Sequence, residues 1–170
     1  MHNNHNHPTN SSLSFKNFLP LITIFSIIAL FTVVRQLYLG WNIQTAMLDF
    51  MAAFFIIFGS FKIVHLAGFA QAYSMYDIIA KRIALYAYIY PFLELGLGLC
   101  YVFRFAIYTA NWATLVLMII GSIGVTLELA KKREIVCACL GTVFKIPMTY
   151  VTLLEDILMG AMALIMLIMR

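Results

Sequence analysis

The sequence predicts an all-α membrane protein, a polytopic bundle of about five spanning helices. Three observations carry this. Of the 170 residues, 64% are hydrophobic and only 11% are charged, whereas a soluble domain carries about 25% charged residues. So few ionic groups cannot cover a globular surface, and the mean hydropathy of +0.95 agrees. The apolar residues gather into five stretches of roughly 20 residues, the length that crosses a bilayer as helix. The basic residues fall mostly at the ends of those stretches and in the connections between them. One bundle fits the length, with no room for a second domain.

Residues 1–17 form a polar, His-rich tail. It begins MHNNHNHPTN, with histidines at His2, His5 and His7. Short His-rich tracts bind metal loosely, and a plain disordered polar tail is the alternative. The single transmembrane domain occupies 18–170. Its first span, 18–38, is too long for a signal-peptide core and lacks a small-residue cleavage site, so it is read as a retained helix. Gly40-Trp41-Asn42 is a turn-like break with an interfacial aromatic before the second span, 46–66. The segment 67–81, AGFAQAYSMYDIIAK, mixes apolar and polar residues at helical spacing and predicts a short amphipathic helix lying in the interface. Spans 82–104 and 110–130 follow, separated around Arg104 to Asn111. The connection 131–149 leads to the last span, 150–169.

Five spans put the N-terminus, 67–81 and 131–149 on one side. That side holds Lys16, Lys62, Lys81, Arg82, Lys131, Lys132, Arg133 and Lys145, against Arg35, Arg104 and Arg170 on the other. Basic residues gather on the cytoplasmic side. The expectation is a bacterial inner (plasma) membrane protein with its N-terminus in the cytoplasm and its C-terminus outside. The net charge of +4 reports that topology, and the lipid bilayer rather than nucleic acid is the expected partner.

The stretch CACLGTVFKIPMT then faces the cytoplasm and holds Cys137, Cys139 and Met148. A structural disulfide is disfavoured in that reducing compartment. The preceding Lys131, Lys132 and Arg133 favour thiolate. Thiolates with a thioether are soft ligands that select Cu(I), and no second Cys or His pair completes a zinc site. Cys137, Cys139 and Met148 are therefore the expected metal site, with Cu(I) as the bound ion. Thiol redox chemistry stays open beside it. A cytoplasmic metallochaperone or thioredoxin-like protein is the matching partner. Cys100, near the outer end of the third span, reads as a small buried apolar residue, too far from the pair to bridge it.

Polar residues inside the spans supply supporting candidates. Glu94 lies well within the third span, so it should be protonated, paired or facing a polar cavity. Pro91 loosens the helix one turn earlier. Lys62 and His65 are three apart and share a helix face. An ion pair of Lys62 with Glu94, a proton or metal relay, and separate snorkelling of Lys62 all fit. Glu155 and Asp156 read as helix-start acids in a capping box opened by Thr152, with metal ligation as the alternative. Met159, Met162, Met166 and Met169 line one face, where flexible packing is the expected role and a copper ladder the other. No P-loop, nucleotide-binding glycine pattern or hydrolytic triad occurs, so the chain does not read as an ATP-driven pump or a hydrolytic enzyme.

The stretches FGSFKIVHLAGFAQAYSMYDIIAKR, YPFLELGLGLCY, GSIGV and CACLGTVFKIPMTYVTLLEDILMGAMA resemble the membrane proteins grouped with methylamine utilisation protein MauE and the DoxX-like redox-associated proteins. Within that group they are similar to a branch often fused to a heavy-metal-associated domain. The resemblance covers about 46–170 and implies a four-helix core, here with an added N-terminal helix, working near thiol or metal chemistry. Its motif positions are Lys62, Tyr73, Tyr76, Asp77, Glu94, Cys137, Cys139, Pro147, Met148, Glu155 and Asp156. The chain lacks the branch's ferredoxin-like metal domain, and only the histidine tail stands in that place. The function expected from residues and resemblance together is heavy-metal (copper) handling through the Cys-x-Cys/Met site. The alternative is a thiol–disulfide redox component supporting protein maturation, as in methylamine utilisation.

Overall fold

The structure is a computed structural model that describes residues 19–130 and 149–169, with the side chains of the last helix from Thr152 onward. Six helices make up the described residues, with no strand among them: α1 Leu19–Leu39, α2 Ile43–Val64, α3 Leu66–Tyr73, α4 Ala84–Val102, α5 Ile107–Ala130 and α6 Thr149–Ile168. By length and composition α1, α2, α4 and α5 can each cross a membrane. Their apolar residues run all round the helix, and those turned away from the bundle, such as Leu30, Ile89 and Val116, are exposed. A helix that is apolar on every side belongs in lipid. The molecule is a helical membrane bundle.

The helix boundaries follow from local chemistry. Gly40 stands at φ +89, a left-handed conformation that costs glycine little. Asn42 then caps α2, its side-chain oxygen accepting from the Thr45 amide at 3.1 Å. At the end of α4, Arg104 (φ 55) and Ala106 (φ 47) make the reversal into α5 without a glycine.

Two helix pairs form the body. The most extensive contacts are between α2 and α4 and between α5 and α6, with fewer between the pairs; α1 lies along α2. Close approach needs small residues where backbones cross. At Gly98 of α4 a Cβ would stand 2.8 Å from Ile56 Cγ1 and 3.1 Å from the Ile56 amide nitrogen of α2. In the second pair Gly121 of α5 faces Asp156 of α6, and Gly160 of α6 faces Met118 of α5. That pairing is antiparallel, so the end of α5 and the start of α6 share one end of the bundle. Phe54, Phe55, Phe58, Met51, Tyr101, Met118 and Met159 fill the core. Met162 and Met166 pack against it, so methionines of the α6 stripe act as core packing.

The 67–81 segment forms a short amphipathic helix, α3, as expected, with one face turned into the bundle. It folds onto α4, burying Phe69, Ala70, Tyr73, Tyr76, Asp77 and Ala80, because its aromatic face finds Tyr86 and Tyr90 to stack on. The last span, expected over 150–169, is α6, Thr149–Ile168, so Thr152 lies inside the helix and its expected capping box is corrected. Thr152 is therefore not an N-cap, and Glu155 and Asp156 stand in the second turn, turned into the bundle.

Candidate functional site: a buried charged cavity

Near the C-terminal end of α2, Lys62 is buried among aromatic residues. Its Nζ donates to both oxygens of Glu94, at 2.5 and 2.6 Å, and lies 5.2 Å from the Tyr90 ring centre and 5.5 Å from that of Phe69. Buried charge is tolerated only when paired and solvated by the protein itself, and here carboxylate and ring faces replace water. Gly59, one turn before Lys62, packs directly against α4, where a Cβ would be in ordinary contact with Glu94 Cβ at 3.6 Å.

The pair forms one wall of an internal cavity of about 20 Å³, roughly the room one water needs. Tyr73 and Tyr76 line it from α3 and the following turns, and Tyr90 from α4. Gly121 of α5 and Thr152, Glu155 and Asp156 of α6 complete it. Gly121 makes the room that Asp156 occupies, since a Cβ there would sit 2.8 Å from Asp156 Oδ2. Gly124 does the same for the loop after α3, where a Cβ would meet the Tyr76 carbonyl oxygen at 2.7 Å.

One ammonium thus faces three carboxyl groups, those of Glu94, Glu155 and Asp156. Above them burial, then the neighbouring Tyr90 and Asp77, push the Tyr73 phenol well above the usual tyrosine range, so it keeps its proton. Its hydroxyl donates to Asp77 at 3.0 Å. Asp77 also accepts from the amides of Ile79 and Ala80, at 2.9 and 2.7 Å, which makes it the organiser of the turn over the cavity.

Of the expected site residues, Lys62, Glu94, Glu155 and Asp156 converge here, and Lys62 is paired rather than snorkelled outward. His65 does not join them. The α2 helix ends at Val64, and His65 turns out at the junction with α3 and is exposed, so the face it was expected to share with Lys62 is broken. Cys137, Cys139, Pro147 and Met148 lie outside the described residues, as do His2, His5 and His7. Cys100 is partly buried and free, packed against the core. Among the described residues no group of three His, Cys, Asp or Glu is arranged to hold a metal ion.

Three buried acids or partners escaped sequence reasoning. Glu128 of α5 takes Lys81 at 2.5 Å, Asp49 of α2 anchors a cluster at the other end, and Tyr90 roofs Lys62. The two acids had a usable signal, since each interrupts an otherwise apolar span. Tyr90 had none, because an aromatic in a span is ordinary.

The family model for methylamine utilisation protein MauE matches residues 40–169. The chain belongs to the MauE family. No curated protein and no solved structure matches. The match begins at the Gly40 turn, so the MauE region comprises α2 to α6 and the cavity they enclose, while α1 precedes it.

Proposed function

We propose that this MauE-family protein is a membrane component of thiol–disulfide chemistry that supports maturation of a partner protein. In this reading Cys137 and Cys139 are its reactive pair and the charged cavity its proton reservoir. One observation supports it above others. The cavity opens in the half of the bundle toward which α5 runs to its end at Ala130 and from which α6 starts, its lining reaching Gly121 on α5 and Thr152 on α6, and the sequence connecting those two helices carries both cysteines. A thiolate of a cytoplasmic thioredoxin-like dithiol attacks one sulfur of a Cys137–Cys139 disulfide, giving a mixed disulfide. The donor's second thiolate then displaces it. The donor leaves oxidised, and Cys137 and Cys139 gain two electrons and two protons. The cavity carboxyl groups can give and take those protons, and Lys131, Lys132 and Arg133, which precede the pair in sequence, favour the departing thiolate of Cys137 or Cys139.

The sequence also favours a second role, capture of Cu(I) by Cys137, Cys139 and Met148, because two thiolates and a thioether are the donor set that ion prefers. The cavity itself suits protons better than a second cation, since the Lys62 ammonium forms part of its wall. One experiment separates the two roles. Purified full-length protein is mixed with a thioredoxin-like protein lacking its resolving cysteine, and separately titrated with Cu(I) against a chelator. Thiol exchange gives a mixed disulfide that Cys137→Ser with Cys139→Ser abolishes. Absence of any mixed disulfide, with about one Cu(I) per chain lost in the double variant, would establish the copper role instead.

A further inference from the structure

At the end of the bundle away from the cavity a second charged cluster stands unused by the thiol chemistry. Asp49 lies 13 residues before Lys62 on α2, about 20 Å along the helix. Its carboxylate accepts from Arg35, from Arg104 and from Gln36 Nε2 at 3.1 Å. Two guanidinium groups on one carboxylate leave a net charge of +1 (two arginines less one aspartate). Arg104 Nη1 is buried without a hydrogen-bond partner. A buried guanidinium N–H in that state calls for an explanation; the rest of the Arg104 side chain is 31% exposed and lines a cleft, and it is held there by left-handed backbone at Arg104 and Ala106.

Beside Arg104 opens a cleft of about 650 Å³ between the starts of α2 and α5 and the end of α6. Gln44, Tyr108 and Asn111 give it a polar side; Leu48, Ile107 and Met166 give it an apolar one. No acidic side chain lines it. We propose that this cleft binds a phosphate-bearing anion, its phosphate on Arg104 and any acyl chain along Leu48, Ile107 and Met166. Guanidinium groups recognise phosphate through paired N–H donors, and Asp49 competes with the ligand for them.

That competition supplies the test. Full-length protein in detergent is titrated with phosphatidylglycerol and, separately, with inorganic phosphate, and bound ligand is read by native mass spectrometry. Saturable binding is expected, weakened about tenfold by Arg104→Gln and unchanged by Arg82→Gln, an exposed arginine elsewhere. Asp49→Asn should tighten it, because the competing carboxylate is gone. The double variant Asp49→Asn with Arg104→Gln, which leaves no buried carboxylate short of its partner, should bind as weakly as Arg104→Gln alone. Displacement of the lipid by inorganic phosphate supports recognition of the phosphate alone; resistance supports a lipid occupant. Equal binding by wild type, Arg104→Gln and the double variant, or no tightening in Asp49→Asn, would overturn the site.

Discussion

At the scale of single residues the Lys62–Glu94 pair dominates, because two buried charges meet in it and Lys62 donates to both carboxylate oxygens. Removing one partner of a buried pair leaves the other uncompensated and costs about 3–5 kcal/mol, whereas replacing both by apolar groups is often neutral. Lys62→Met should therefore lower the thermal midpoint in detergent sharply, and adding Glu94→Leu should restore most of it. If the double variant unfolds as early as the single, the pair does not act as a unit. The glycines of α5 give a second contrast. At Gly121 an added methyl meets the end of the Asp156 side chain, which can rotate away; at Gly124 it meets the Tyr76 backbone, which cannot. Gly124→Ala should thus destabilise by about 1–3 kcal/mol, while Gly121→Ala should keep the fold and reduce thiol exchange. Equal melting of the two variants would contradict this assignment.

At the scale of elements, the roof over the cavity depends on Asp77, which ties Tyr73, Ile79 and Ala80 together. Asp77→Ala should loosen residues 74–82, seen as faster amide exchange there with α1 and α2 unaffected. Unchanged exchange would mean that ring stacking alone holds the segment. This element also shows where sequence reasoning stopped. The long helices were legible because their length and apolar composition are local properties, and the Gly40–Asn42 break was legible as turn chemistry. The short amphipathic helix of 67–81 was legible from its composition, but its docking on Tyr86 and Tyr90 was not, since that depends on tertiary packing. The extent of α6 was legible, but the capping box was misread, because Thr152 and Glu155 imitate one at a position that is interior helix. Lys62, Glu94, Glu155 and Asp156 were legible as polar residues in apolar surroundings. Their convergence on one cavity was not, since it depends on how α2, α4 and α6 pack.

For the whole molecule, the distribution of basic residues predicts orientation. Reporters fused after residue 12 and after Arg170 should report cytoplasm and exterior, respectively. Both termini in one compartment would remove α6 as a span, and the cytoplasmic assignment of Cys137 and Cys139 would then rest on the reporter at the N-terminus alone.

The cavity lies along the seam between the two helix pairs, with Lys62, Tyr73 and Glu94 on one side and Gly121, Glu155 and Asp156 on the other. A joint of this kind lets the polypeptide be made in two pieces. Helices that insert on their own associate afterwards through packing and buried polar contacts, so fragments 1–104 and 105–170, produced together, should find each other in the bilayer. A tag on the first should recover the second from detergent extract, and Gly124→Leu in the second piece should abolish recovery. Failure of the unmodified pieces to co-purify would show that the covalent link through Arg104 to Ala106, rather than the seam, holds the halves in register.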